Sequence, residues 1–78
     1  MAPQYSFSVV LEPQEGGGFT ALVPALPEVV TEGETKEEAL TNAEEAIRVV
    51  LGFRRDHHLT IPDDTPPEVR RITVVAPA

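Results

Sequence analysis

At 78 residues with no cysteine, the chain has room for one domain and excludes disulfides, cysteine-based metal sites and thiol nucleophiles. Its formal net charge of −7 opposes direct contact with a phosphate backbone, and no apolar run is long enough to span a bilayer. The N-terminus lacks a basic-plus-apolar leader, so the expected setting is soluble and cytoplasmic.

Tyr5, Phe7, Val9 and Leu11 alternate with Ser6, Ser8, Val10 and Glu12, which predicts a strand over residues 5–12 with one apolar face. Pro13 closes it. Residues 14–18 predict a hairpin loop, with three glycines free to take positive φ. Gly16-Gly17-Gly18 does not read as a phosphate cradle, because no Lys-Ser/Thr follows and the next segment has strand character. That second strand, residues 19–23, is expected antiparallel to the first. Pro24 and Pro27 end it, since neither can donate to a ladder. Residues 29–31 are a short third strand and Gly33 marks the next turn. Thr35 and Glu38 then supply a capping box: the hydroxyl accepts from the third helical amide and the carboxylate reaches back to the Thr35 amide.

The helix so started is expected over residues 36–55. Ala39, Leu40, Ala43, Ile47, Val50 and Leu51 recur at helical spacing and define its buried stripe, with Ala46 and Phe53 on the borders. Glu37 and Glu38 lie at the positive end of the helix dipole and Arg54 and Arg55 at the negative end. Gly52 costs this helix about 1 kcal/mol against alanine and loosens its last turn. After a proline-bearing connection over residues 60–67, residues 68–75 resume β character through Val69, Ile72, Val74 and Val75. The order predicts an α+β fold, β-β-β-α-β, with one mostly antiparallel sheet and a single helix packed on one face. One helix cannot cover both faces, so the other is left to solvent or to a partner.

No catalytic set emerges. His57-His58 is a candidate metal or proton site, but adjacent side chains diverge and no third ligand lies at regular spacing; a pair favoured by the helix dipole is the simpler account. Asp63-Asp64 beside prolines reads as a turn or capping device more readily than a cation site. Glu37-Glu38 and Glu44-Glu45 read as cap and solvated face, because a carboxylate dyad needs burial to split its pKa values. Ser6 and Ser8 have no histidine nearby and no nucleophile-elbow pattern. Arg54-Arg55 and Arg70-Arg71 lack aromatic residues for base stacking. The expectation is a non-enzyme with no cofactor and no metal.

Several segments taken in order resemble the HicB-like antitoxin family. They are Leu11-Glu12-Pro13, Gly16-Gly17-Gly18-Phe19, Pro24-Ala25-Leu26-Pro27 and Gly33-Glu34-Thr35-Lys36-Glu37-Glu38-Ala39, then Ala43 and Ala46, and the late Ile61-Pro62 before a final strand. The resemblance runs over roughly residues 5–75. Glu28-Val29 departs from it, standing where many relatives have Gly followed by Cys, and a Cβ at Glu28 disfavours positive φ in that turn.

The resemblance implies a single HicB-like domain over residues 1–78 that binds and neutralises a small basic HicA-type RNA-cleaving toxin, and that associates with itself as a dimer or tetramer. The charge suits a basic partner. Up to Ile47 nine glutamates face Lys36 alone, whereas from Arg48 onward five arginines offset Asp56, Asp63, Asp64 and Glu68. Ordinary solubility charge explains the same numbers without a partner. Glu12, Glu32, Glu34 and Glu37 are the candidate contact residues. The helix-turn-helix or ribbon-helix-helix segment usual in full antitoxins has no counterpart here, so no direct nucleic-acid binding and no autorepression are expected. An orphan self-assembling structural or small-ligand-binding module is the alternative, and an RNA-contacting domain a third reading that the charge weakens.

Overall fold

Three consecutive glycines make the first chain reversal possible. Gly16, Gly17 and Gly18 take φ of 87°, 108° and 86°, a region that side chains with a Cβ avoid. The loop is closed by the Gln14 amide donating to Gly18 O at 2.9 Å and the Gly17 amide donating to Gln14 O at 3.1 Å. The computed structural model, which describes residues 3–77, sets this loop between β1 (Val10–Pro13) and β2 (Phe19–Leu22). β3 (Val30–Gly33) and α1 (Lys36–Asp56) follow. The sheet order is β1-β2-β3 with both pairings antiparallel. An antiparallel sheet followed by one helix is the expected α+β arrangement.

The connection from β2 to β3 is two turns in series. Leu26 N–H donates to Val23 O and Val29 N–H donates to Leu26 O, both at 2.9 Å. Pro24 and Pro27 therefore each occupy the second position of a turn, where a fixed φ is pre-set for the bend. Glu28 takes no positive φ, so the second turn needs no glycine there. Leu26, fully buried, points inward between the two turns.

Register decides which side chains face the helix. Leu11 pairs with Ala21 and Ala21 with Thr31, and this row lies under α1. Ala21, Ala39 and Ala43, all fully buried, let the helix sit close to the sheet, with Val9, Leu11 and Phe19 around them. A second cluster joins Val23, Leu26 and Val29 to Phe7, Val9, Ala46, Ile47, Val50 and Leu51. Two side chains tie β3 to the helix: Thr31 Oγ1 donates to Ala39 O at 3.1 Å and Asn42 Nδ2 donates to Glu32 O at 2.8 Å. Leu40, expected in the buried stripe, is 40% exposed at the helix flank.

The helix ends confirm half of one expectation and supply a motif the sequence did not show. Thr35 Oγ1 accepts from the Glu38 amide at 3.0 Å, as an N-cap should. The return bond of the capping box is not formed among the described residues. At the C-terminus, Leu59 N–H donates to Arg54 O at 2.7 Å and His58 N–H donates to Arg55 O at 3.1 Å, with His58 at φ 55°. This is a Schellman motif with histidine in the position glycine usually takes. Gly52 does not end the helix, since α1 continues to Asp56.

Two expected strand segments have no ladder among the described residues. Residues 5–9 remain unpaired because the residues that would face them in the β1–β2 register, 23–27, are taken up by the two proline turns. The Tyr5 and Phe7 rings nevertheless stack at 6.4 Å, as alternate side chains of an extended chain do. Residues 68–75 are likewise without a partner strand. There Val69, Ile72, Val74 and Val75 are 79–95% exposed.

Candidate partner-binding surface

The pairing that puts Leu11, Ala21 and Thr31 under the helix turns the alternate residues outward. Val10 faces Leu22 and Leu22 faces Val30, while Glu12 faces Thr20 and Thr20 faces Glu32. The helix-free side of the sheet thus carries an apolar row beside an acid-flanked row. Val10 and Leu22 are half-buried and Val30 is 56% exposed. Gln14 Nε2 donates to Thr20 Oγ1 at 2.8 Å and steadies the polar row between its two carboxylates.

The remaining acids gather at the end of the sheet where α1 begins. A shallow cleft of about 520 Å³ is lined by Gln14, the glycine loop, Glu32, Gly33, Glu34 and Glu38. Of the four expected contact residues, Glu12 and Glu32 share the open sheet face. Glu34 lies in the bend after β3 and shares the cleft with Glu32. Glu37 is exposed in the first helical turn. Lys36 does not neutralise them as a group: its Nζ lies 5.6 Å from the centre of the Phe19 ring. Glu38, read from sequence as a cap, lines the cleft, because its side chain does not return to Thr35.

Three polar links that sequence spacing could not reveal hold the opposite end together. Arg54 Nη2 donates to Glu28 Oε2 at 2.9 Å and Arg54 Nη1 donates to Thr60 O at 3.0 Å, joining the proline turns, the helix end and the segment beyond it. Asp64 accepts from both the amide and the hydroxyl of Ser8, each at 2.7 Å. The Ser8 amide bond, with the hydroxyl bond, keeps the Asp64 carboxyl below the usual range. Asp64 is a cap for an unpaired strand lead, in line with its reading as a capping device. His57 stacks on Phe53 at 4.0 Å and its Nδ1 lies 2.9 Å from Phe53 O, so the ring closes the helix end.

A hydrogen bond from its own backbone amide, then the Arg54 bond, holds the Glu28 carboxyl below its ordinary value. A lowered folded-state pKa means stabilisation that is present above the ordinary carboxylate range and lost as pH falls through the lowered value. Between about pH 6 and pH 3 the native chain should therefore lose more stability than Glu28→Gln. With Glu28 46% exposed, the difference should stay under about 1 kcal/mol. Urea melts of both proteins across that range measure it, and parallel losses would refute the pairing.

Among the described residues no group of three or more His, Cys, Asp or Glu side chains is placed to hold a metal ion. No helix of the described residues is long and apolar enough to cross a membrane.

No family model matches the chain. Individual proteins do. A UPF0150 protein of Thermoplasma acidophilum is 40% identical over 63 residues, covering 81% of this chain and 91% of that protein. A UPF0150 protein of Synechocystis is 33% identical over 60 residues, covering 77% of this chain and 76% of that protein. The protein named Antitoxin HicB 1 of Photorhabdus laumondii is 39% identical over 56 residues, which is 72% of this chain. The match spans only 36% of that longer protein. Identity at this level across most of two short relatives, with the strand–turn–strand–helix order that carried the resemblance, places the chain in the HicB-like UPF0150 family.

Proposed function

We propose that this chain is an antitoxin-type interaction module that binds a small basic HicA-type toxin through the helix-free face of its sheet. The supporting observation is the pairing of Val10, Leu22 and Val30 in an accessible apolar row beside Glu12 and Glu32. An apolar strip supplies burial, and flanking carboxylates steer and orient a cationic partner. Glu34 and Glu37 extend the acidic field around the helix start. The role is binding rather than catalysis, and the similarity to Antitoxin HicB 1 over its matched third supports the toxin as the class of partner. The module acts in the cytoplasm through protein contacts.

Co-expression with a small basic HicA-type toxin from the same genome provides the test. Retention of that protein on the tagged chain, with relief of its growth inhibition, is the expected result. Glu12→Arg/Glu32→Arg should weaken the complex by about 2 kcal/mol, roughly 30-fold, with most of the loss in association rate. A partner-free protein that leaves growth inhibition intact would favour the orphan self-assembling module instead.

A further inference from the structure

The described chain has a radius of gyration of 15.8 Å and a longest extent of 59 Å. A compact domain of this length should have a radius near 11.5 Å (~2.2·N^0.38). The excess comes from residues 65–77, which form no helix or ladder. We propose that residues 68–75 form the fourth strand of a second copy's sheet, pairing along the outer edge of β1, so that two chains exchange arms reciprocally.

Four features support this exchange. First, the arm is a strand without a sheet. Ile72 and Val74 share one side of an extended chain and Val69 and Val75 the other, and all four are bare. Second, among the described residues β1 forms the open edge of the sheet. α1 covers β3, where Asn42 donates to Glu32 O and Gly33 lies against the helix backbone. Beside β1, in contrast, a groove of about 640 Å³ runs between the strand lead and the helix, with Tyr5, Phe7, Val9, Leu40, Ile47 and Leu51 on its walls. A strand added outside β1 would put one apolar pair over that groove. The other pair would extend the Val10–Leu22–Val30 row.

Third, the root of the arm directs it away from its own body. Asp64 is fixed on Ser8, and Thr65-Pro66-Pro67 follows at once. A residue before proline is pushed to extended backbone, so Thr65 and Pro66 resist the tight reversal that would lay the arm on its own β1. Short, stiff hinges of this kind favour exchange between copies. Fourth, the charges fit. Arg70 and Arg71 outnumber Glu68 in the arm, while the rest of the chain is strongly acidic. Pairing through backbone bonds with alternate side chains in a groove is strand addition, and two-fold exchange satisfies both edges at once.

This inference does not depend on the toxin reading. Light scattering during size exclusion should give about twice the 8.5 kDa chain mass. Ile72→Asp/Val74→Asp should give monomer with the helical circular dichroism retained. Because the chain has no cysteine, introduced thiols report position directly. Copies carrying Val10→Cys should form disulfide-linked heterodimers with differently tagged copies carrying Val69→Cys, Thr73→Cys or Val75→Cys, in at least one combination. A monomeric native protein, a dimer that survives the double aspartate substitution, or no such heterodimer in any of the three combinations would each overturn the exchange.

Discussion

Gly33→Ala is expected to destabilise the fold by about 3 kcal/mol, the upper end of what overpacking usually costs. A Cβ at this position would sit 2.8 Å from Glu38 C and 2.9 Å from Ala39 Cα. Both are backbone atoms in the first turns of α1, so no rotamer change relieves the contact. The helix start must lift from β3, which strains the Thr31–Ala39 and Asn42–Glu32 bonds and opens the alanine-lined interface beneath. A chain of this size has ~4–12 kcal/mol of stability in total, so one substitution would remove a large share of it. Urea unfolding followed by circular dichroism should show the midpoint falling by roughly 2–3 M. Gly52→Ala, where an added Cβ meets nothing within 4 Å, is the control and should lose nothing. Equal midpoints for Gly33→Ala and the native chain would show that β3 and α1 are not in this close contact.

The parts of the fold that were legible in the sequence are those set by neighbours along the chain. The strand expected over residues 19–23, the two prolines, the Thr35 cap and the alanine spacing of α1 each act over a few residues, and the structure places them as read except that β2 ends one residue early, at Leu22. The third strand runs on to Gly33 because pairing with Phe19 carries it further than its β-branched residues suggested. What the sequence concealed depends on residues far apart. Ser8 and Asp64 are 56 positions distant, and Arg54 reaches Glu28 across the proline turns. Neither link leaves a periodic signal. The lack of pairing in residues 5–9 is set by where β2 turns away, and the strand character of residues 68–75 does not say which chain supplies the edge. For the candidate surface, composition showed that acids cluster early, but only the register put Glu12 and Glu32 together on the open face, with Glu32 also bordering the cleft that Glu34 and Glu38 line. His58 in the left-handed cap was hidden for a different reason: the position prefers glycine, and this chain fills it with a histidine that sequence reading weighs first as a ligand.

Leu26→Ala is the second large effect, an expected loss of about 3–4 kcal/mol from the range seen for buried leucines. Leu26 is fully buried although it stands in a loop, because the Val23–Leu26 and Leu26–Val29 turns fold around it. Its side chain belongs to the cluster that includes Val23 and Val29, against which Ile47, Val50 and Leu51 of the helix pack. Pro24 and Pro27 fix the backbone on both sides, so the turns cannot collapse into the space that truncation leaves. The loss should therefore include most of the cavity contribution as well as the transfer of the missing carbons. Leu26→Met, which keeps volume, should cost less than about 1.5 kcal/mol. Comparing the two by urea unfolding separates cavity from chemistry, and near-equal losses would place Leu26 outside a packed core. The consequence reaches the candidate surface. Val23, Leu26 and Val29 set where β2 ends and β3 begins, and hence which residues of β3 stand opposite Thr20 and Leu22. A loosened turn would blur the row that brings Glu12, Thr20 and Glu32 together, so Leu26→Ala should weaken partner binding even at temperatures where the helix is still formed.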